Sequence, residues 1–110
     1  MSNYYDSCDL KKFGNITRTN KALGDKFFSW FNDVMKPGAL SEREKALIAL
    51  AVSHALKCPY CIDSYSSACL EKGADEAQMN EAVHVAAAMA AGITMVHSVQ
   101  MMNKVDDLSM

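Results

Sequence analysis

Apolar residues recur at three- and four-residue steps along most of this chain, and strict alternation never lasts beyond a few positions. That period belongs to helices with one buried face, and it predicts an all-α fold, a bundle of about five to six helices. Over residues 22–35, Leu23, Phe27, Phe28, Trp30, Phe31 and Val34 form one stripe, which Pro37-Gly38 breaks. Ser41 with Glu44 three positions on is a capping box. The helix it opens is apolar nearly all round over residues 47–56, as expected of a central buried helix. Pro59 suits the first turn of the next helix, where its missing N–H needs no partner, and Gly73 ends that helix as a left-handed cap. Asp75 with Gln78 opens a helix expected through Ala91, with Met79, Val83, Ala86 and Ala90 facing inward. Gly92 marks a break or a tight packing point. A last helix covers residues 93–104, and residues 105–110 are expected to fray.

Length and charge narrow the picture further. At 110 residues the chain is read as a single domain, 1–110, with a core over 41–104 and an N-terminal helical segment over 9–35. A net charge of −2 gives no electrostatic case for binding nucleic acid or an anionic membrane. Ser53, His54 and Lys57 interrupt the apolar run around residues 47–56, so no membrane span of about 18 residues is expected. Residues 1–6 have neither a basic region nor an apolar segment, so no signal peptide is expected. With four cysteines, this points to a reducing cytoplasm. The Asn15-Ile16-Thr17 sequon then carries no meaning, and the eight methionines read as core filler rather than a metal set.

The chemistry concentrates in Cys58-Pro59-Tyr60-Cys61. Two thiols with two residues between them can close a disulfide within one short loop, which makes the pair a two-electron redox switch. Half of a zinc site is the alternative, but it needs two more ligands at matching spacing, and Cys8 and Cys69 are single and far apart. The expectation is therefore a site with no metal and no cofactor. The same tetrapeptide occurs in glutaredoxins, whose fold requires a strand before it and a cis-proline loop after it. No proline follows Pro59, and the preceding segment is helical in pattern, so that topology does not fit.

From Ser41 to Met102 the chain resembles the AhpD-like alkylhydroperoxidase and carboxymuconolactone decarboxylase family. The matching words are Lys45-Ala46-Leu47-Ile48-Ala49-Leu50-Ala51-Val52, Cys58-Pro59-Tyr60-Cys61, Glu71-Lys72-Gly73-Ala74 and Glu81-Ala82-Val83-His84, in that order. Tyr65, the string Cys69-Leu70-Glu71-Lys72-Gly73-Ala74 and the Ala-rich helix around Met89 further resemble a subgroup found beside arsenosugar-biosynthesis enzymes. The family resemblance implies an AhpD-like helical bundle that assembles into trimers or hexamers and reduces a small hydroperoxide. It gives Cys61 the peroxidatic role and Cys58 the resolving role, with an external dithiol as reductant. Helix physics alone orders the two thiols the other way, because Cys58 at the helix N-cap meets the positive end of the macrodipole.

Two positions depart from the family pattern. Tyr65 stands four residues after Cys61, where a His is common, and Ala46 stands 12 residues before Cys58, where the family carries Glu. Glu44 does not replace it, since two residues turn a helical side chain by about 200°. His54, four residues before Cys58 and on the inward face, is the candidate base or thiolate partner, unless it is a core histidine bonded to a backbone carbonyl. Tyr65 is the candidate proton donor. His97 is a third candidate, while His84 reads as a surface or interface partner of Glu81. Cys69, about 12 Å along the helix from Cys61, reads as a small buried hydrophobe.

Three functions compete on this reading. The first is a thiol-dependent hydroperoxide reductase or dithiol–disulfide oxidoreductase. The second is a non-catalytic redox-sensing or partner-binding oligomer with a weakened relay. The third is a carboxymuconolactone-type decarboxylase, which shares the fold but needs no cysteine pair. Met, Ala and aromatic residues cover most helix faces, more apolar surface than one small bundle can bury, so a homo-oligomer is expected.

Overall fold

Capping boxes legible in the sequence open two of the helices. The structure, a computed structural model, describes residues 6–109. The expectations for residues 1–5 and for Met110 lie outside the described residues. An N-terminal 3-10 helix, Ser7–Thr17, is followed by α1 (Lys21–Met35), α2 (Glu42–Ala55), α3 (Pro59–Glu71), α4 (Glu76–Val96) and α5 (Ser98–Ser109). No strand occurs among the described residues.

Ser41 and Glu44 exchange side-chain-to-backbone bonds of 3.0 and 2.8 Å, closing the capping box at the start of α2. Asp75 and Gln78 do the same for α4 at 2.8 and 3.0 Å. Gly73, at φ 90, ends α3 in the left-handed region, as expected, and the Ala74 N–H bonds the Cys69 carbonyl at 2.9 Å.

α2 lies against both α3 and α4 and is the central element. Ala46 and Leu50 of α2, Cys69 of α3 and Ala74 form the buried core, with Leu47, Tyr65, Ala68 and Met79 packed around it. Cys69 is fully buried, as a small hydrophobe. The Lys72 ammonium meets the Glu42 carboxylate at 2.5 Å and pins the end of α3 to the start of α2.

The N-terminal segment is held by rings. Phe13 of the 3-10 helix packs edge-on against Phe28 and Phe31 of α1, with centroids 5.2 and 5.9 Å apart, and lies 5.6 Å from the Tyr60 ring. Gly24 is buried where the two helices meet, because a Cβ there would run into the Thr17 side chain. The Lys45 ammonium clamps the end of α1, donating to the Val34 and Lys36 carbonyls at 2.7 and 2.5 Å.

Several expectations need correction. α2 is central but not buried all round, since Ile48, Val52 and Leu56 stay exposed on the face that α3 and α4 do not cover. In α1, Leu23 and Trp30 lie outside the aromatic cluster and are exposed. Gly92 is neither a break nor a packing point: nothing lies within 4 Å of a Cβ built there, and α4 runs through it to Val96. One glycine costs a helix about 1 kcal/mol, which the surrounding Ala-rich turns absorb. Ala90 is exposed rather than inward. The last helix begins five residues later than expected, at Ser98 rather than 93, and residues 105–109 are helical.

α5 follows α4 with only His97 between them, and while the start of α4 packs on α2, its far end and α5 form an arm beyond the body. The radius of gyration is 18.9 Å, well above the roughly 13 Å of a compact chain of about 100 residues. No Asp, Glu, Lys or Arg occurs between Glu81 and Lys104, a stretch the expectation drawn from α2 left out of account. By length and composition the helical run Glu76–Ser109 is long and apolar enough to cross a membrane, with a mean hydropathy of 1.5 over its most apolar 18 residues.

Candidate active site

The turn between α2 and α3 builds the site. Leu56 caps α2 and Lys57 takes a left-handed φ of 57, which reverses the chain within two residues. The Lys57 and Cys58 N–H groups then bond the His54 and Ser53 carbonyls at 3.1 and 2.9 Å, satisfying the end of α2. Cys58 becomes the N-cap of α3, with Pro59 in the first turn. Its sulfur accepts the Cys61 backbone N–H at 3.2 Å, the bond that a Ser or Asp side chain makes at other helix starts. Tyr60, inside the loop, donates its hydroxyl to the Leu10 carbonyl of the 3-10 helix at 3.1 Å. The cysteine loop is thus fastened to the N-terminal segment.

Cys58 and Cys61 are both free thiols and both half-buried. Burial first, then the hydrogen bond to Cys58 and the charge on Cys58, push the Cys61 thiol up to about 11, against an ordinary 9.0. The nearby Ser53 hydroxyl pulls the other way, as the smallest of the effects. Ser53 is buried in α2 and also donates to the Ala49 carbonyl at 2.6 Å. Burial, followed by the neighbouring Cys61 and then Tyr60, raises the Tyr65 phenol above its ordinary value and keeps it protonated.

Cys58, Cys61, Ser53 and Tyr65 share one pocket of about 640 Å³. Its other walls are apolar: Phe31, Val34 and Met35 from the end of α1, Leu40, and the exposed Ile48–Val52–Leu56 stripe of α2. Lys45 is the one cation among the described lining residues, and its ammonium is already held by two carbonyls of the α1 terminus.

Of the candidates read from sequence, Cys58, Cys61 and Tyr65 come together. His54 turns its Nδ1 to the Leu50 carbonyl at 2.9 Å, and it is not among the described residues lining the pocket. From α2 it is the neighbouring Ser53 that reaches Cys61. A hydroxyl within an otherwise apolar turn, one turn before the cysteine loop, was the signal available for it. His97 caps α4 and lines a separate shallow pocket with Met89, Ile93 and Val96, while His84 is exposed. Ala46 is buried in the core at 3% exposure and offers no carboxylate. Glu44 is committed to its cap, where the Ser41 N–H holds its carboxyl below the usual range. Among the described residues, no three of His, Cys, Asp or Glu are gathered as a metal site.

Comparison with known proteins agrees with this architecture. A protein of Paracoccus denitrificans, described as uncharacterized protein 4 in the cox locus, is 35% identical over 95 residues, which is 86% of each chain. A crystal structure of a structural-genomics target from Methanobacterium thermoautotrophicum superposes with a TM-score of 0.73 at 32% identity. The match covers 76% of this chain and 94% of that one. Residues 21–104, from the start of α1 to within α5, match the carboxymuconolactone decarboxylase family. The helical bundle and the ordered motifs have one common explanation: the chain belongs to the AhpD-like carboxymuconolactone decarboxylase family.

Proposed function

We propose that the chain is an enzyme that reduces organic hydroperoxides at the Cys58–Cys61 pair and draws its electrons from an external dithiol. One observation carries this reading: two free, half-buried thiols face a pocket whose remaining walls are almost wholly apolar. Such walls hold a hydrocarbon tail and leave the –OOH group as the polar end to meet sulfur.

The chemistry balances with the groups present. A thiolate of the pair attacks the outer peroxide oxygen, so the O–O bond breaks, an S–O bond forms and the sulfur loses two electrons. The leaving alkoxide takes a proton, and the Tyr65 hydroxyl, in the wall of the same pocket, is the candidate to supply it. The second thiol then displaces hydroxide from the sulfenic acid, giving water and a disulfide. Exchange with the external dithiol restores both thiols.

A carboxymuconolactone-type decarboxylation has less support here. Its anionic substrate needs a free cation, and Lys45 is occupied at the α1 terminus. The sensor reading differs from the enzyme only in turnover, which the following measurement decides.

The test compares cumene hydroperoxide with hydrogen peroxide under steady turnover by dithiothreitol. At about 25 cal/mol per Å², burying about 55 Å² of apolar tail is worth about 1.4 kcal/mol, or tenfold. A kcat/KM at least about tenfold higher for cumene hydroperoxide is expected, and Tyr65→Phe should slow turnover by at least about tenfold. Equal rates for the two peroxides would remove the apolar-substrate reading. A single oxidation without turnover would assign the pair to sensing.

A further inference from the structure

We infer that Cys58, not Cys61, is the thiol that attacks, so that in this chain the two cysteines exchange the roles that the family resemblance gives them. This rests on the hydroperoxide reading above and adds the order of events at the same site.

The geometry around the two sulfurs is unequal. Cys58 is the N-cap of a thirteen-residue helix, the position where free N–H groups and the positive end of the macrodipole stabilise an anion. Its sulfur already accepts one such N–H, from Cys61 at 3.2 Å. Cys61, three residues on within the first turn, lies farther from the helix end, and its own backbone N–H is directed to the Cys58 sulfur. Its thiol is a hydrogen-bond partner of Cys58, and burial holds its proton on. The groups that lower an inner thiol's pKa elsewhere in the family are missing: Ala46 offers no carboxylate, and Tyr65 stands in place of a histidine. His54, the substitute suggested by sequence, gives its Nδ1 to the Leu50 carbonyl. Only the Ser53 hydroxyl favours the Cys61 thiolate, and it is weaker than the effects that oppose it.

The steps follow from this asymmetry. Cys58 thiolate attacks the outer oxygen of the hydroperoxide and becomes sulfenic acid, while the alkoxide leaves with the proton of the Tyr65 hydroxyl, which solvent returns. Cys61 then attacks the Cys58 sulfur. Its proton leaves with the displaced hydroxide as water. The disulfide so formed is opened at Cys58 by one thiol of the external dithiol, releasing Cys61 as a thiol. The second thiol of the reductant then frees Cys58.

The test uses the full-length chain and reads each thiol separately. In the parent protein, iodoacetamide labelling between about pH 6 and pH 9, followed by peptide mass spectrometry, gives an alkylation rate for each cysteine. Cys58 is expected to react at least about tenfold faster than Cys61 near pH 8. In parallel, Cys61→Ser and Cys58→Ser are mixed with cumene hydroperoxide and dimedone, which traps sulfenic acid. Cys61→Ser should give a dimedone adduct on Cys58, and Cys58→Ser should give an adduct on Cys61 at least about tenfold more slowly than that. Faster labelling of Cys61, or a Cys61 adduct formed in Cys58→Ser as fast as the Cys58 adduct in Cys61→Ser, overturns the assignment. If Cys58 labels first but neither variant consumes peroxide, the thiolate order stands and the hydroperoxide reading falls.

Discussion

Lys57, Cys58 and Ser53 show how a few residues set the chemistry. The left-handed Lys57 lets the chain reverse so tightly that the Cys58 N–H closes on the Ser53 carbonyl, and this reversal puts Cys58 at a helix N-cap. The same fold buries Cys61 and raises its pKa to about 11 from 9.0. A raised thiol pKa stabilises the folded chain where both states hold the proton, below about pH 9. Between 9 and 11 the unfolded chain has released a proton that the folded chain still binds, so stability falls as pH climbs through that window. Cys69 and Tyr65, both raised mainly by burial, act in the same direction. Urea melts from about pH 8 to pH 11 should therefore show a declining midpoint in the parent and a shallower decline in Cys61→Ser. Parallel declines would mean that Cys61 titrates alike in both states. The cysteine pair itself was legible from spacing, because a two-residue gap is a local property. The partner from α2 was not: His54 and Ser53 are adjacent in sequence, and only the roll of the helix decides which of them meets Cys61.

At the scale of elements, whatever depends on near neighbours was readable. The Ser41–Glu44 and Asp75–Gln78 boxes, Pro59 and the Gly73 cap all form within four residues, and all occur as expected. Contacts between distant segments were not readable. Nothing in the pattern around Tyr60 announces that its hydroxyl meets the Leu10 carbonyl, fifty residues earlier. The end of α4 was misplaced for a related reason: Gly92 breaks a helix only when the flanking turns are weak or another backbone approaches, and neither holds here. Gly24 is the opposite case, since the 3-10 helix lies directly against it. Gly24→Ala should cost about 1–3 kcal/mol by overpacking against Thr17, while Gly92→Ala should stabilise the helix by about 0.5–1 kcal/mol. Chemical denaturation of both variants checks the pair. An unchanged Gly24→Ala would mean that the N-terminal segment is not docked as described.

At the scale of the whole molecule, the α4–α5 arm needs a partner surface. Val85, Met89, Ile93 and Val96 recur at three- and four-residue steps and are all well exposed, Val96 at 69%. We propose that further copies of the chain cover this arm in a trimer or hexamer, the assemblies that the family resemblance implies. Light scattering at micromolar concentration should show a multiple of the 12.1 kDa chain, and a paired Ile93→Glu, Val96→Glu variant should dissociate it. A monomeric parent that instead partitions onto neutral lipid vesicles would assign the arm to a membrane. The redox loop remains the centre of the account in any assembly, because its pocket is built by α1, α2 and α3 of one chain. The most direct measurement is peptide mapping of the reduced protein after one equivalent of cumene hydroperoxide. The account predicts loss of two hydrogens from the intact chain and a single crosslink joining Cys58 to Cys61, with Cys8 and Cys69 still free. A crosslink through Cys8 or Cys69, or a Cys58–Cys61 pair left reduced while peroxide remains, would contradict it.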